Sequence, residues 1–561
     1  MNSKGISDST HVVKAVRNVL VPMRDGVRLA ADIYRPDTEG KFPALLAMSP
    51  YGKELQGPPI VPLPPGHPSF CGGAEAGNTD YLVPRGYAHV IADVRGSCKS
   101  EGVWRGWTSK QEAEDGYDLI EWIASQPWCD GNVGMIGISY FATVQLVVAA
   151  EQPPHLKAIF AYDCPADFYR DTTYHGGVLN FFVYTTYLRP GAGKTVMTEV
   201  LSPEEFQSRV EAVRKDPDIL IYPLIRSKAE NPRGAPCFLD VLLNPTDGPF
   251  YWERSGYTKY DRIKVPAYVG SGWYAYGYMH LAGAFKNFMG ITSPKKMLLT
   301  PAVFLERPWH QYHDIVIRWF DHWLKGVDTG IMEEPPIKLF VMGANEWRYE
   351  QEWPLARTEW TKYYLHSWGR LSTEPEVFHA EPDSYVQPPL SLTTRINSLT
   401  YMTSPLTDDV EVTGPIALYL HAAIDQEDTN FIVALRDVAP DGSEIELTRG
   451  WLKASHRAVD EGKSYPWRPW HPHTHPQPVV PGEIYEYAIE IISTSNLFKT
   501  GHRIKLEIMS MDYSGSTPLK PGVYSRLFPA HMCSSKTVLH KIYRDSKHQS
   551  YLLLPIIPRR R

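Results

Sequence analysis

The 561 residues carry 57 Lys+Arg against 63 Asp+Glu, a formal net charge of −6, with 43% hydrophobic and 21% charged residues. At roughly 100–200 residues per domain this length predicts about three domains, and the composition is that of a globular chain with a sizeable core. The mild acidic excess argues against a basic face for nucleic acid and against a polybasic membrane anchor.

Aromatics reach 12%, with 16 Trp, 33 Tyr and 48 Pro. That suits a loop-rich protein with aromatic-lined cavities, although all-β domains share the bias. The six cysteines, Cys71, Cys98, Cys129, Cys164, Cys237 and Cys533, lie far apart with no CxxC pair, which is neither a disulfide framework nor a zinc knuckle. The opening MNSKGISDSTHVV is polar and has no apolar core of a signal peptide. No run approaches the ~18 apolar residues of a membrane span, so a reduced, cytoplasmic setting without membrane contact is expected.

In chain order, residues 41–49 form an apolar run that ends at Pro50 and reads as a buried strand; 87–93 is a second, closed by Arg95-Gly96-Ser97. Residues 111–124 read as an amphipathic helix with Tyr117, Ile120 and Ala124 on one side. The carboxylates Glu112, Glu114, Asp115 and Asp118 are expected on its solvated face. Residues 132–139 are a third strand, 141–150 a helix apolar nearly all round and so buried, and 156–162 a further strand. This alternation implies a parallel sheet covered by helices, an α/β domain.

From about Asp167 to Pro245 Gly, Pro and aromatics dominate around one polar helix, 203–215, and the stretch reads as an insertion over the sheet. Strands return at 265–270 and 296–299, with helices at 280–288 and 314–325, the last stopped by Gly326. Beyond about Trp353 helical periodicity fades. Strand-like runs recur at 362–365, 417–421, 431–437, 485–492, 503–509 and 535–542, with Asp441-Gly442 as a hairpin turn, so an all-β domain is expected.

Gly137-Ile138-Ser139-Tyr140-Phe141-Ala142 follows a buried strand and opens a buried helix, the setting of a nucleophile elbow. The sharp turn lifts the Ser139 hydroxyl off the sheet. An oxyanion forming there meets the N–H of Tyr140 at a helix N-terminus. The alternative is a serine at an ordinary helix N-cap, and the second residue after it is Phe141 where an elbow usually has Gly. Tyr51, in Ser49-Pro50-Tyr51-Gly52-Lys53 at the same sheet edge, is either a phenol donor to that oxyanion or a residue packed in a turn.

These motifs occur with Met23-Arg24-Asp25-Gly26-Val27-Arg28-Leu29, Asp32-Ile33-Tyr34-Arg35-Pro36, Asp93-Val94-Arg95-Gly96 and Gln126-Pro127-Trp128. Farther along come Gly272-Trp273-Tyr274, the run from Arg318 to Gly326, and Met342-Gly343-Ala344-Asn345-Glu346-Trp347. Jointly they resemble the cocaine esterase family, which includes X-prolyl dipeptidyl-peptidases and α-amino acid ester hydrolases, over essentially the whole chain. The resemblance implies an α/β-hydrolase domain, a helical cap inserted after the nucleophile helix, and a C-terminal jelly-roll β domain. On that reading residues 1–150 and 246–352 are the two parts of the hydrolase domain, 151–245 the cap and 353–561 the jelly roll. It also implies Ser139 as nucleophile, the Tyr51 hydroxyl and Tyr140 amide as oxyanion hole, and an acyl pocket walled by all three domains.

Two triad positions depart from the family. Its catalytic acid follows Gly-Trp-Tyr as Asp, and here Ala275 follows Tyr274; its catalytic His stands in a stretch that here reads Thr300-Pro301-Ala302-Val303-Phe304. Neither Ala nor Phe orients or takes a proton, and a serine hydroxyl without a base is a poor nucleophile at neutral pH. His310 is the best-placed substitute base, a few residues late on the same loop, while His280 and His313 read as packed or surface histidines. Asp163, ending the neighbouring strand, is the substitute acid, with Glu306 second. Asp167, in Asp167-Phe168-Tyr169-Arg170, reads as structural support.

The alternating His471, His473 and His475 would share one face of an extended strand, but prolines and the lack of Cys or carboxylate partners argue against a metal. No cofactor is expected. The expected activity is hydrolysis of an ester, lactone or activated amide through an acyl-enzyme on Ser139, with Trp273, Tyr274 and Phe168 lining the acyl pocket. The alternative is a pocket protein of the same fold that binds or rearranges a small molecule without an acyl-enzyme. A small-molecule acyl substrate is the expected partner; oligomeric state stays open, a homo-oligomer included.

Overall fold

In the computed structural model, which describes residues 6–56, 75–180, 194–273, 279–301, 311–512 and 531–558, the first half of the chain builds one ten-stranded sheet. Its strands in chain order are β1 (Val13–Pro22), β2 (Arg28–Pro36), β3 (Phe42–Ser49), β4 (Ala88–Asp93), β5 (Cys129–Ile138) and β6 (Leu156–Tyr162). A short hairpin, β7 (Tyr174–His175) and β8 (Val178–Leu179), stands apart. The sheet resumes with β9 (Ala267–Gly272), β10 (Lys295–Thr300), β11 (Ile337–Val341) and β12 (Glu346–Glu350). The spatial order is β1-β2-β4-β3-β5-β6-β9-β10-β11-β12. Pairing is parallel from β4 across to β11 and antiparallel at both ends.

Both faces of the parallel strands are buried, as the apolar runs require. Ala44, Leu46 and Met48 of β3 join the core on one side, and Leu45 and Ala47 join the core on the other. The helix Tyr140–Ala150 is buried at every position. The helix His313–Lys325 covers the opposite face through Ile317, Trp319, Phe320 and Leu324. The edge strands β1 and β12 are mostly exposed or half-buried, Val16, Leu20, Trp347 and Tyr349 included, so neither shows the continuously buried run of the inner strands.

Between the parts of the sheet lie short helices at Met197–Val200, Pro203–Val213, Pro217–Leu220, Pro223–Ala229, Pro236–Leu243 and Pro249–Arg254. All but the first begin with proline at N1 or N2, where a missing N–H costs nothing and the fixed φ suits a helix start. Five of the 48 prolines therefore open these helices.

The second half is all β: β13 (Glu359–His366), β14 (Arg370–Ser372), β15 (Asp383–Gln387), β16 (Ser398–Met402), β17 (Val410–Ile424), β18 (Asn430–Val438), β19 (Glu444–Lys453), β20 (Tyr485–Phe498), β21 (Arg503–Met509), β22 (Val538–Tyr543) and β23 (Tyr551–Ile557). The long β17 pairs with β20 on one side and with β23 on the other, closing a nine-stranded ring β17-β20-β19-β18-β21-β16-β14-β13-β23. β22 and β15 extend from the end of β17. The β18–β19 connection turns at Asp441-Gly442, with Gly442 at φ +82°. The halves meet where Met342 exchanges backbone hydrogen bonds with Ser495 and Leu497, at 3.0 and 2.8 Å.

Three expectations are corrected. The carboxylates of helix Lys110–Ala124 do not share a solvated face: Glu112 and Asp115 are buried, with Leu119 and Ile123 on the same stripe. The spacing 112-115-119-123 is as helical as the one chosen from apolar residues alone, and each acid inside has a partner. Asp115 pairs with Arg95 at 2.6 Å and Glu112 takes the Tyr140 phenol at 2.7 Å. Second, the histidines after Trp470 lie outside any regular strand, and the three do not share one face: the His471 and His473 rings are buried 5.7 Å apart while His475 is exposed. His471 sits between the Ala458 and Ala488 carbonyls (2.9 and 2.7 Å), and His473 meets the His456 ring at 3.0 Å. The third concerns His280, described next.

Candidate active site

The strands that carry chemistry end on one edge of the sheet, where a parallel α/β sheet presents its ligand site. Tyr51 follows β3, Ser139 follows β5, Asp163 follows β6 and Trp273 follows β9.

Ser139 stands at φ +61°, ψ −118°, in the strained strand-to-helix turn between β5 and the helix Tyr140–Ala150. Such a conformation persists only where the surroundings enforce it. The backbone N–H of Ser139 donates to the Tyr162 carbonyl at 3.1 Å, and its own carbonyl accepts from the N–H of Ala142 and Thr143. Gly137 makes the bend feasible: at φ +156° its ideal Cβ would lie 2.2 Å from the Phe141 Cβ. The residue two before the serine must therefore be glycine, and Phe141 is tolerated after it because its ring turns into the core, 1% exposed.

The Ser139 Oγ lies 3.0 Å from His280 Nε2, and both residues are 3% exposed. The imidazole that the fold brings to the serine is thus His280, expected above to be a packed or surface residue. It stands at the N-cap of the helix Leu281–Gly290. That helix lies hard against the loop after β6: a Cβ on Gly283 would meet the Cys164 carbonyl oxygen at 2.1 Å, and Asn287 Nδ2 donates to the same oxygen at 3.0 Å. The close approach allowed by glycine sets the height of the helix, and with it the His280 ring, beside the serine. The available signal was topological: His280 follows β9, two strands from β5 on the same edge. His313, by contrast, stacks on Tyr81 with centroids 4.0 Å apart. His310, Glu306 and Tyr274 lie outside the described residues, as do Ala275 and Phe304.

Asp163 adopts a left-handed φ of +51°. Its N–H donates to the Gly270 carbonyl at 2.8 Å and its Oδ1 accepts from Ser271 Oγ at 2.7 Å, tying it to β9. Asp163 and the segment touching Gly283 are consecutive, so Asp163 and His280 belong to two elements locked together.

The Tyr51 ring packs edge-on against Tyr140 and Phe141, the two residues after the serine, at 5.6 and 6.4 Å between centroids. Its loop is anchored from below. Lys53, wholly buried, pairs with buried Asp32 at 2.9 Å, and its N–H donates to Asp93 Oδ1 at 2.7 Å. The motifs around Asp32, Lys53 and Asp93 thus form one internal clamp on the Tyr51 turn. On the other side the Tyr140 phenol donates to Glu112, which also accepts from Trp104 Nε1 at 2.9 Å. Burial pushes the Glu112 carboxyl up to about 8, so it is largely neutral at pH 7.

Phe168 is 4% exposed and sits between Trp107 and Tyr251, at 5.6 and 5.9 Å. Trp273 is 2% exposed and its indole N–H donates to the Phe340 carbonyl at 2.7 Å. Asp167 caps the helical turn Phe168–Thr173 and pairs with Arg170 at 2.9 Å. The five described cysteines are free thiols. Among the described residues no cluster of three or more His, Cys, Asp or Glu could hold a metal ion, and no helix is long and apolar enough to cross a membrane.

Comparison with known proteins agrees with this fold. Residues 25–305 match the model of the X-Pro dipeptidyl-peptidase (S15) family, and residues 329–553 match the X-Pro dipeptidyl-peptidase C-terminal non-catalytic domain. The chain is 30% identical to the cocaine esterase of Rhodococcus sp. (strain MB1 Bresler), over 97% of this chain and 98% of that one. It is 29% identical to a putative serine esterase of Mycobacterium bovis, over 96% and 94%. In structure it is similar to a CocE/NonD family hydrolase from Staphylococcus aureus, with a TM-score of 0.74 and 25% identity over 97% and 94% of the two chains. With a matching α/β-hydrolase fold, a C-terminal all-β domain and relatives spanning nearly its whole length, the chain belongs to the X-Pro dipeptidyl-peptidase (S15) family and is a hydrolase.

Proposed function

We propose that this hydrolase cleaves a carboxylic ester, lactone or activated amide of a small molecule through an acyl-enzyme on Ser139, with His280 as its base. The observation that carries the reading is the Ser139 Oγ–His280 Nε2 approach of 3.0 Å in a buried setting. As Oγ attacks the acyl carbon, its proton passes to Nε2. The carbonyl oxygen becomes an oxyanion facing the Tyr140 N–H and the Tyr51 hydroxyl. The imidazolium then protonates the departing alkoxide or amine, and water repeats the sequence to release the acid.

For Nε2 to accept, the ring proton must sit on Nδ1, and Asp163 is the carboxylate we assign to hold it there. Its place on the loop packed against the His280 helix supports that role. The chain thereby keeps a triad after losing the family's acid and base positions, by moving the base to the start of the helix after β9 and the acid to the end of β6. Residues 151–245 we read as a cap over the site, the β half as a jelly-roll domain closing the pocket, and Trp273 and Phe168, with Tyr274 outside the described residues, as the apolar side of the acyl pocket. The relatives' names, an esterase and dipeptidyl-peptidases, support acyl transfer to water as the reaction class. The reading without an acyl-enzyme drew its weight from the absent acid and base, and a histidine 3.0 Å from the serine weakens the second of those grounds.

A fluorophosphonate probe tests the proposal. Wild type should be labelled, and Ser139→Ala should not. Absence of labelling in folded wild type, beside a positive control, refutes the activated serine.

A further inference from the structure

A second recess lies on the far face of the His280 helix, between that helix and the β half of the molecule. It has a volume of about 90 Å³ and takes in Phe285, Lys286, Trp353, Trp470, Arg468 and Glu490 among its walls. Neither Ser139 nor His280 belongs to it. The charges on this wall are unevenly matched. Lys286 is held by Asp171, whose other oxygen accepts from the N–H of Ala166 and Asp167 at 2.9 Å each. One carboxylate oxygen thus meets one of three ammonium hydrogens. Glu490, on β20 in the same wall, has no hydrogen bond from any described residue; burial raises its carboxyl, against the pull of Lys286, Arg468 and Arg170. Arg468 faces the rings of Tyr465 and Trp467 and has no carboxylate within ion-pair distance among the described residues. Glu490 and Arg468 are each half-buried, and a partly desolvated carboxylate and guanidinium that do not meet each other are left for a ligand to pair.

We propose that this recess binds a small zwitterion of the amino-acid type carrying an apolar side chain. Its ammonium would donate to Glu490, its carboxylate would accept from Lys286 and Arg468, and its side chain would lie against Phe285 and Trp353. Those two rings stack on each other at 4.6 Å and make this part of the wall apolar. The helix that carries Lys286 and Phe285 begins at His280, so occupancy is placed to steady the helix that positions the base.

Isothermal titration calorimetry of the full chain with L-leucine, 4-methylpentanoate and 3-methylbutylamine tests this. Leucine should bind one to one, with each single-charge analogue at least tenfold weaker and with leucine at least tenfold weaker on Glu490→Gln. Protein whose serine has been blocked by fluorophosphonate should bind leucine unchanged, which separates this recess from the reaction site. If the probe does not label, the serine proposal fails while the Glu490→Gln comparison still decides this one. No leucine binding, an acid or amine analogue that binds as well as leucine, or leucine lost on blocking the serine would each overturn the proposal. If Glu490→Gln proves unfolded by circular dichroism, the three-ligand comparison on wild type decides alone.

Discussion

Replacing His280 by alanine removes the one imidazole that the described structure places on the serine. The hydrogen bond of 3.0 Å joins two residues each 3% exposed, so bulk water has little access to replace the base. A positioned general base is worth 10²–10⁴-fold. With both partners buried, we expect a fall in kcat of about a thousandfold, equivalent to about 4 kcal/mol of transition-state stabilisation. The assay is hydrolysis of p-nitrophenyl acetate and butyrate, with a pre-steady-state burst to separate acylation from deacylation. His280→Gln should fall equally, because an amide reaches the hydroxyl but takes no proton. His313→Ala, which removes a ring stacked on Tyr81 away from the serine, should stay within twofold. If His280→Ala keeps activity within threefold while His310→Ala abolishes it, the base is His310 and the reasoning above is refuted.

Gly283→Ala should lower kcat more than thermal stability, since its Cβ would sit 2.1 Å from the Cys164 carbonyl oxygen and the helix must lift, taking His280 with it; unchanged kcat contradicts the account. Glu112, raised to about 8 from an ordinary 4.5, keeps its proton in the folded protein where the unfolded chain has lost it. Its contribution to stability is therefore complete below about 4.5 and declines as pH rises towards 8. Glu112→Gln, a neutral mimic, should flatten that decline in urea melts across the same range, and an equal slope in both proteins counts against burial as the cause. Arg95→Ala should cost about 3–5 kcal/mol by urea unfolding, because it strands Asp115, whose side chain is 1% exposed; a loss under 1 kcal/mol means the pair is not isolated from water.

The amino-acid order by itself determined the layered sheet, the buried helix after Ser139 and the change to β structure past Trp353, because those elements are written in local periodicity and in the burial of both faces of each strand. The elbow was equally legible, since Gly137 and the strand–helix junction lie within six residues. What only the tertiary structure decided is which histidine meets the serine. Ser139 and His280 are 141 positions apart, and their meeting depends on the neighbour order β5-β6-β9 and on a glycine that lets one helix settle onto a loop. The same holds for Glu112 and Asp115, whose polar side chains read as solvated until their partners, Tyr140 and Arg95, arrive from other elements. Periodicity reports which face is apolar, but a buried polar group is accepted by virtue of a distant partner, and distance along the chain hides that partner until the fold closes.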